Sequence, residues 1–234
     1  MTKKEFQSFY LAIVDQNLHI NYFGPKNDNS NYQKKYSMPD SLDNNLNLII
    51  LTKFVSEKVK NFEKNIGNFI EKINVITDAQ HEQFSLSLKN RYDSNQIKEN
   101  DVVRLINDAK KLIVRHNKNY AILHIIVDKY IVDGQEFSVF PENINYKEFI
   151  INVSFITIQK SVINTLSKIF QDCNIEVNKI ISHHYSSRFA DKSDISPCVA
   201  GKKVIDGINP SEVTIRNQYF KKLGLFEKMF NFFG

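Results

Sequence analysis

The sequence predicts an α/β fold. Three observations carry this prediction. Two stretches alternate like hairpins, at Phe9–Gly24 and Leu123–Pro141, and each holds a two-residue turn candidate, Gln16-Asn17 and Asp133-Gly134. Three amphipathic helical patterns are spaced among the strands. The chain has 234 residues, of ordinary apolar content, which is enough for one or two small cores.

The elements follow in order. "FYLAIVD" and "LHINYFG" are two short strands around a tight turn. "PKNDNSNYQKKYSMPDSLDNN" is polar and Asn-rich and predicts a loop. Leu48, Leu51, Phe54, Val55, Val59, Phe62 and Ile66 recur at three- and four-residue steps, which predicts a helix ending near Gly67. "INVITD" and "FSLSL" follow as strands. Asn100 or Asp101 is the expected cap of a helix whose apolar face holds Val102, Val103, Leu105, Ile106, Ala109, Leu112 and Ile113. The ribbon from Tyr120 to Val139 follows, and then the strand "YKEFIINVSFIT". Val162, Ile163, Leu166, Ile169 and Phe170 mark another helix, with Asn174 as a left-handed residue beyond it. "IEVNKIISHH" closes the unit as a strand. The expected domains are thus 1–83, a compact sandwich at 84–187 with two helices on one sheet face, a linker at 188–216, and a terminal helix at 217–234.

Composition excludes several classes. A formal charge of +5 permits an anionic partner without requiring one. Cys173 and Cys198 form neither a metal pattern nor a disulfide framework, so both are expected as free thiols. No stretch approaches the ~18 apolar residues of a spanning helix, and the N-terminus lacks a signal-peptide core. His183 and His184, if adjacent in a strand, would point to opposite faces and could not share one ion. No Gly-rich phosphate loop, Ser-His-Asp order or paired acids stand out. The expectation is therefore no enzyme, no catalytic residue, no cofactor and no metal. No nucleic-acid partner is expected either, because an aromatic-and-lysine strand face for base stacking is missing.

The segments "HIIVDKYIVDGQE", "FPENINYKEFIINVSFIT" and "IQKSVINTLSKIFQDCNIEVNKIISHHYSS" resemble the bacterial cell-division protein FtsA, in the SHS2 subdomain (1C) inserted into its actin-like core. The resemblance covers about Ile97 to Ser187. Val127 stands where the family has proline, and Asn143, Tyr146 and Asn174 where it has glycines. Residues 9–95 look like a reduced first half of the family's subdomain 1A. The resemblance thus implies a reduced actin-like half carrying an SHS2 sandwich. It also implies a partner among division proteins: the tail of an FtsN-like protein, another FtsA-like subunit, or the chain itself.

The family binds ATP through a hairpin with Asp-x-Gly-Thr/Ser. Here the equivalent is "IVDQNLH", in which the glycine that lets backbone approach phosphate is gone. The nucleotide-binding halves 2A and 2B have no counterpart, nor does the surface for the FtsZ peptide. The family also ends in an amphipathic helix on the inner membrane. In "YFKKLGLFEKMFNFFG", at about 100° per residue, Phe220, Leu223, Phe226, Met229, Phe230 and Phe233 share one side. Lys221 and Lys228 fall on the other side, while Lys222 intrudes on the apolar one and can snorkel. These nine residues are the candidate contacts with an anionic membrane surface. The implied role is a non-catalytic divisome adaptor, peripheral on the cytoplasmic side of the inner membrane at the division site. The alternative is an actin-like ATP-binding protein whose site a partner chain completes.

Overall fold

The computed structural model describes residues 8–24, 31–39, 48–90, 96–142, 144–192 and 196–213. Two sheets divide the chain. The first has strand order β3-β2-β1-β4-β9 and the second β5-β8-β6-β7. Strands β1 (Ser8–Val14), β2 (Asn17–Phe23) and β3 (Tyr32–Ser37) form an antiparallel meander, and β4 (Lys72–Thr77) and β9 (Glu176–Ser182) run parallel to β1. The second sheet is antiparallel: β5 (His81–Lys89), β6 (Tyr120–Val132), β7 (Gln135–Phe137) and β8 (Phe149–Gln159). The chain leaves the first sheet after β4, builds the whole second sheet, and returns through α3 (Lys160–Gln171) to β9.

Side-chain alternation explains the layers. In β1, Phe9, Leu11 and Ile13 face α1 (Leu48–Ile66) and α3, where Val55, Val59, Phe62, Leu166, Ile169 and Phe170 complete one core. Tyr10, Ala12 and Val14 face the opposite side and join Ile76, Ile181, Tyr185, Cys198 and Val204. The second sheet has its own core against α2 (Glu99–His116), formed by Leu105, Ile106, Ala109 and Ile113 with Ile125, Val127, Phe149, Ile151, Val153 and Phe155.

Several sequence expectations need correction. The strand β3, expected as loop, forms because an edge strand needs one apolar face, and Tyr32 and Tyr36 supply it. The helix α3 and strand β9 were expected to complete the second sandwich. They belong instead to the first sheet, with Leu166 in its core, so a single helix, α2, covers the second sheet. Asn100 and Asp101 are the second and third residues of α2 rather than its cap, which is Lys98, and the Asp101 carboxylate accepts the Lys98 N–H at 3.2 Å; Val103 and Leu112, expected on the apolar face, are exposed.

The expected linker is also largely folded. Within it Pro197–Ile205 form a helix, α5, and just before it, where the closing strand is expected to end, His183–Ser186 form one turn, α4. Ser196 caps α5, Pro197 opens it, and the chain leaves it at Gly207 with φ +84°. Gly201 lets this helix press on the sheet, since a Cβ there would meet Ile76 Cγ1 at 2.6 Å. His183 and His184 therefore sit on a helical turn rather than in a strand.

Other expectations stand. The Asp133-Gly134 turn closes β6 on β7, and Asn174 is left-handed at φ +59°. Cys173 and Cys198 are free; burial pushes the Cys198 thiol up to about 12.

Candidate functional site

The two sheets meet the C-terminal segment at a buried polar junction. His124 interrupts the apolar run of β6, and its side chain is wholly buried. The Ser182 N–H, at the end of β9, donates to His124 Nε2 at 3.2 Å. That fixes Nε2 as acceptor, so Nδ1 carries the hydrogen given to Glu212 Oε1 at 2.8 Å. Tyr185 O–H donates to the other carboxylate oxygen of Glu212 at 2.9 Å and accepts from Asn209 Nδ2 at 2.9 Å. Burial alone would raise the Glu212 carboxyl. The hydrogen bonds from His124 and Tyr185, with the Lys179 charge, hold it below the usual carboxylate range instead. Backbone pairing reinforces the junction: Val127 N–H donates to Ser211 O, and Val213 N–H to Ile125 O. The segment 211–213 thus lies along β6.

Beside this junction is a cleft of about 480 Å³ lined by Asp78, His81, Ser182, His183, His184 and Ser187. The rings of His81 and His184 stack at 4.8 Å, and Arg188 lies 3.4 Å from His184 Nε2. Burial lowers the His81 pKa, and His184 and Arg188 lower it further. Among the described residues, no three His, Cys, Asp or Glu side chains gather as a metal-holding group.

The hairpin of β1 and β2, with the "IVDQNLH" that the sequence resemblance sets against a phosphate loop, lies at the same end of the sheet. Asp15 and Gln16 both take left-handed backbone, at φ +48° and +58°, and so make the mirror-image turn that suits a hairpin. The Asp15 N–H is taken by the Asp78 carboxylate at 2.8 Å. The turn therefore presents carboxylates where a phosphate would need free N–H groups.

The predicted membrane contacts, Phe220, Lys221, Lys222, Leu223, Phe226, Lys228, Met229, Phe230 and Phe233, lie outside the described residues. Sequence reasoning missed the junction. His124 lies 58 residues from Ser182 and 88 from Glu212, and no motif links such distances. The available signal was the histidine itself, a polar group inside "AILHIIV" that burial obliges to find partners.

Residues 77–157 match the family model described as the SHS2 domain inserted in FtsA. The matched span begins at the last residue of β4 and ends within β8, so the region similar to the SHS2 domain is the second sheet with α2. Its insertion is visible in the chain itself, between β4 and α3 of the first sheet.

No curated protein matches the chain. Among solved structures it is similar to three. The PilM-PilN type IV pilus biogenesis complex is 6% identical with a TM-score of 0.48, over 79% of this chain and 50% of that one. The cytoplasmic domain of EpsL, an inner-membrane component of the Vibrio cholerae type II secretion system, is 7% identical with a TM-score of 0.39, over 77% and 59%. A Bacteroides thetaiotaomicron protein with an actin-like ATPase fold is 13% identical with a TM-score of 0.34, over 82% and 58%. The chain spans between half and three fifths of those structures. Outside the SHS2 domain, as within it, no described helix is long and apolar enough to cross a membrane.

Proposed function

We propose that this protein is a non-catalytic adaptor of the cell-division machinery. Its SHS2 domain is the unit that meets other division proteins, and residues 217–234 hold it to the cytoplasmic face of the membrane. The observation that carries the reading is the match of residues 77–157 to the SHS2 domain inserted in FtsA. The partner follows the family: the tail of an FtsN-like protein or another FtsA-like subunit. The hairpin supports a role without nucleotide, because Asp78 occupies the Asp15 N–H and two carboxylates face any approaching phosphate.

The amphipathic pattern of the tail supports the membrane half of the reading. An apolar side of phenylalanines, Leu223 and Met229 suits the acyl boundary. Lys221, Lys222 and Lys228 near anionic lipid add about 1 kcal/mol each. A fluorescent fusion of the full chain should form a band at the division site, and Phe226→Glu with Phe230→Glu should disperse it. The same double variant should stay in the supernatant when the parent sediments with anionic liposomes. A diffuse signal from the parent refutes the adaptor role. Equal sedimentation of parent and variant refutes the anchor.

A further inference from the structure

We infer that the outer face of α2 is a second contact with anionic lipid, which lays the second sheet against the membrane with α2 turned toward the bilayer. This rests on the membrane anchor proposed for residues 217–234 and adds a surface that the anchor alone does not supply.

The place where the chain leaves the described fold selects this face. Val213 packs against the α2 core of the second sheet, and its N–H donates to Ile125 O on β6. The anchor begins four residues later, at Asn217. Four peptide steps span at most about 14 Å. One helix laid on a sheet adds a layer about 10–12 Å thick. The anchor therefore starts about level with the outer surface of α2, and a bilayer that takes the anchor from that side meets the helix.

The residues of that surface suit lipid. Val102, Leu105, Ile106, Ala109 and Ile113 are the buried side of α2. Val103, Arg104, Asn107, Lys111, Val114 and Arg115 recur at three-, four- and seven-residue steps on the opposite side, and all are exposed. The acids Glu99 and Asp101 are confined to the first turn, where Arg104 lies 4.0 Å from Asp101. Toward the C-terminal end the face turns basic. Lys111, Arg115 and Lys118 stand there with Asp108, whose carboxylate lies 3.3 Å from Lys111.

The helix dipole accounts for Arg115 in the last turn. It accounts neither for Lys111 nor for Val103 and Val114, which are 54% and 45% exposed along one side of the helix. Cations beside exposed apolar side chains draw in lipid headgroups and let the valines settle among them. A face of this size binds weakly alone. An anchor that already holds the chain at the bilayer supplies the effective concentration it needs.

The test uses the full chain with two kinds of vesicle, phosphatidylcholine alone and phosphatidylcholine mixed with phosphatidylglycerol. Lys111→Gln with Arg115→Gln removes cations at exposed positions, so the variant should melt with the parent. On the mixed vesicles its partition should fall about thirty-fold, at about 1 kcal/mol for each cation. On phosphatidylcholine it should match the parent, and added salt should close the gap. A probe reads the contact directly. In a chain with Cys173→Ser, Val114→Cys carrying an environment-sensitive fluorophore should shift to the blue on the mixed vesicles. Ser87→Cys, exposed on the other face of the same sheet, should not. Equal sedimentation of parent and glutamine variant with the mixed vesicles, or equal response of the two probes, overturns this contact and leaves the anchor standing. The basic face would then belong to an acidic protein partner. A parent that sediments with neither vesicle overturns the anchor and this contact with it.

Discussion

Glu212 should anchor the two halves of the molecule, and Glu212→Ala measures that. Its carboxylate, with 8% of the side chain exposed, receives His124 Nδ1–H at 2.8 Å and Tyr185 O–H at 2.9 Å. Removing it leaves two buried donors without that acceptor. Each such loss costs about 1–3 kcal/mol, so the sum is about 2–6 kcal/mol. Water entering the vacated space would restore part of it and move the result toward the lower end. We expect about 3 kcal/mol, a large share of the 5–15 kcal/mol of a typical domain, as a lower urea midpoint at unchanged slope.

A double-mutant cycle with His124→Ala separates the pair from the packing, because the double variant removes donor and acceptor together. Its loss should fall short of the sum of the single losses by about 1–3 kcal/mol. Acid should show the same contact. The folded carboxyl lies below its ordinary value of 4.5, so its contribution is complete above that value and is lost as pH falls through the lower folded one. The gap between parent and Glu212→Ala should therefore narrow with acid only below about that pH. A variant within about 0.5 kcal/mol of the parent at neutral pH, or additive single losses, refutes the junction's structural role.

Other perturbations test the remaining layers. Leu166→Asp buries an unpaired charge where α3 meets the first sheet; it should cost several kcal/mol and melt far below the parent. Gly201→Val should cost about 1–3 kcal/mol by overpacking, since even a Cβ there lies 2.6 Å from Ile76, and Ile76→Ala should recover part of the loss in thermal melts. A fluorescent ATP titration with magnesium should show no saturable binding once ionic strength is raised enough to screen the basic surface; micromolar saturation would restore the reading of a nucleotide site completed by a partner.

Local pattern was enough for most strands and helices, because periodicity is set by which face each element buries. The odd residues of β1 and the Val55–Val59–Phe62 face of α1 needed no tertiary knowledge. The assignment of α3 and β9 could not be made that way. Their patterns say that one face is buried, but not against which sheet, and an insertion separates β4 from its neighbour β9 by about a hundred residues of sequence. The polar edge strand β3 was lost for a related reason, since two tyrosines are too few to register as alternation.

The stretch from Ser196 to Gly207 argues more finely. By composition its Pro and Gly count as breakers, yet they stand where a short helix wants them. Ser196 accepts the Cys198 N–H at 3.3 Å, Pro197 supplies a first residue that needs no N–H, and Gly207 takes the left-handed exit. Read by position rather than by composition, the same residues bracket α5 instead of excluding it. That matters for function, because α5 turns the chain back on the first sheet and delivers Asn209 and Glu212 to Tyr185 and His124, and Ser211 to Val127. A true linker would leave the C-terminal residues independent of the fold. Here the chain reaches Val213 paired to β6 of the second sheet and tied through Tyr185 to the end of β9. A load applied to the residues that follow therefore meets the Val213–Ile125 backbone bond first and the His124–Glu212 pair next.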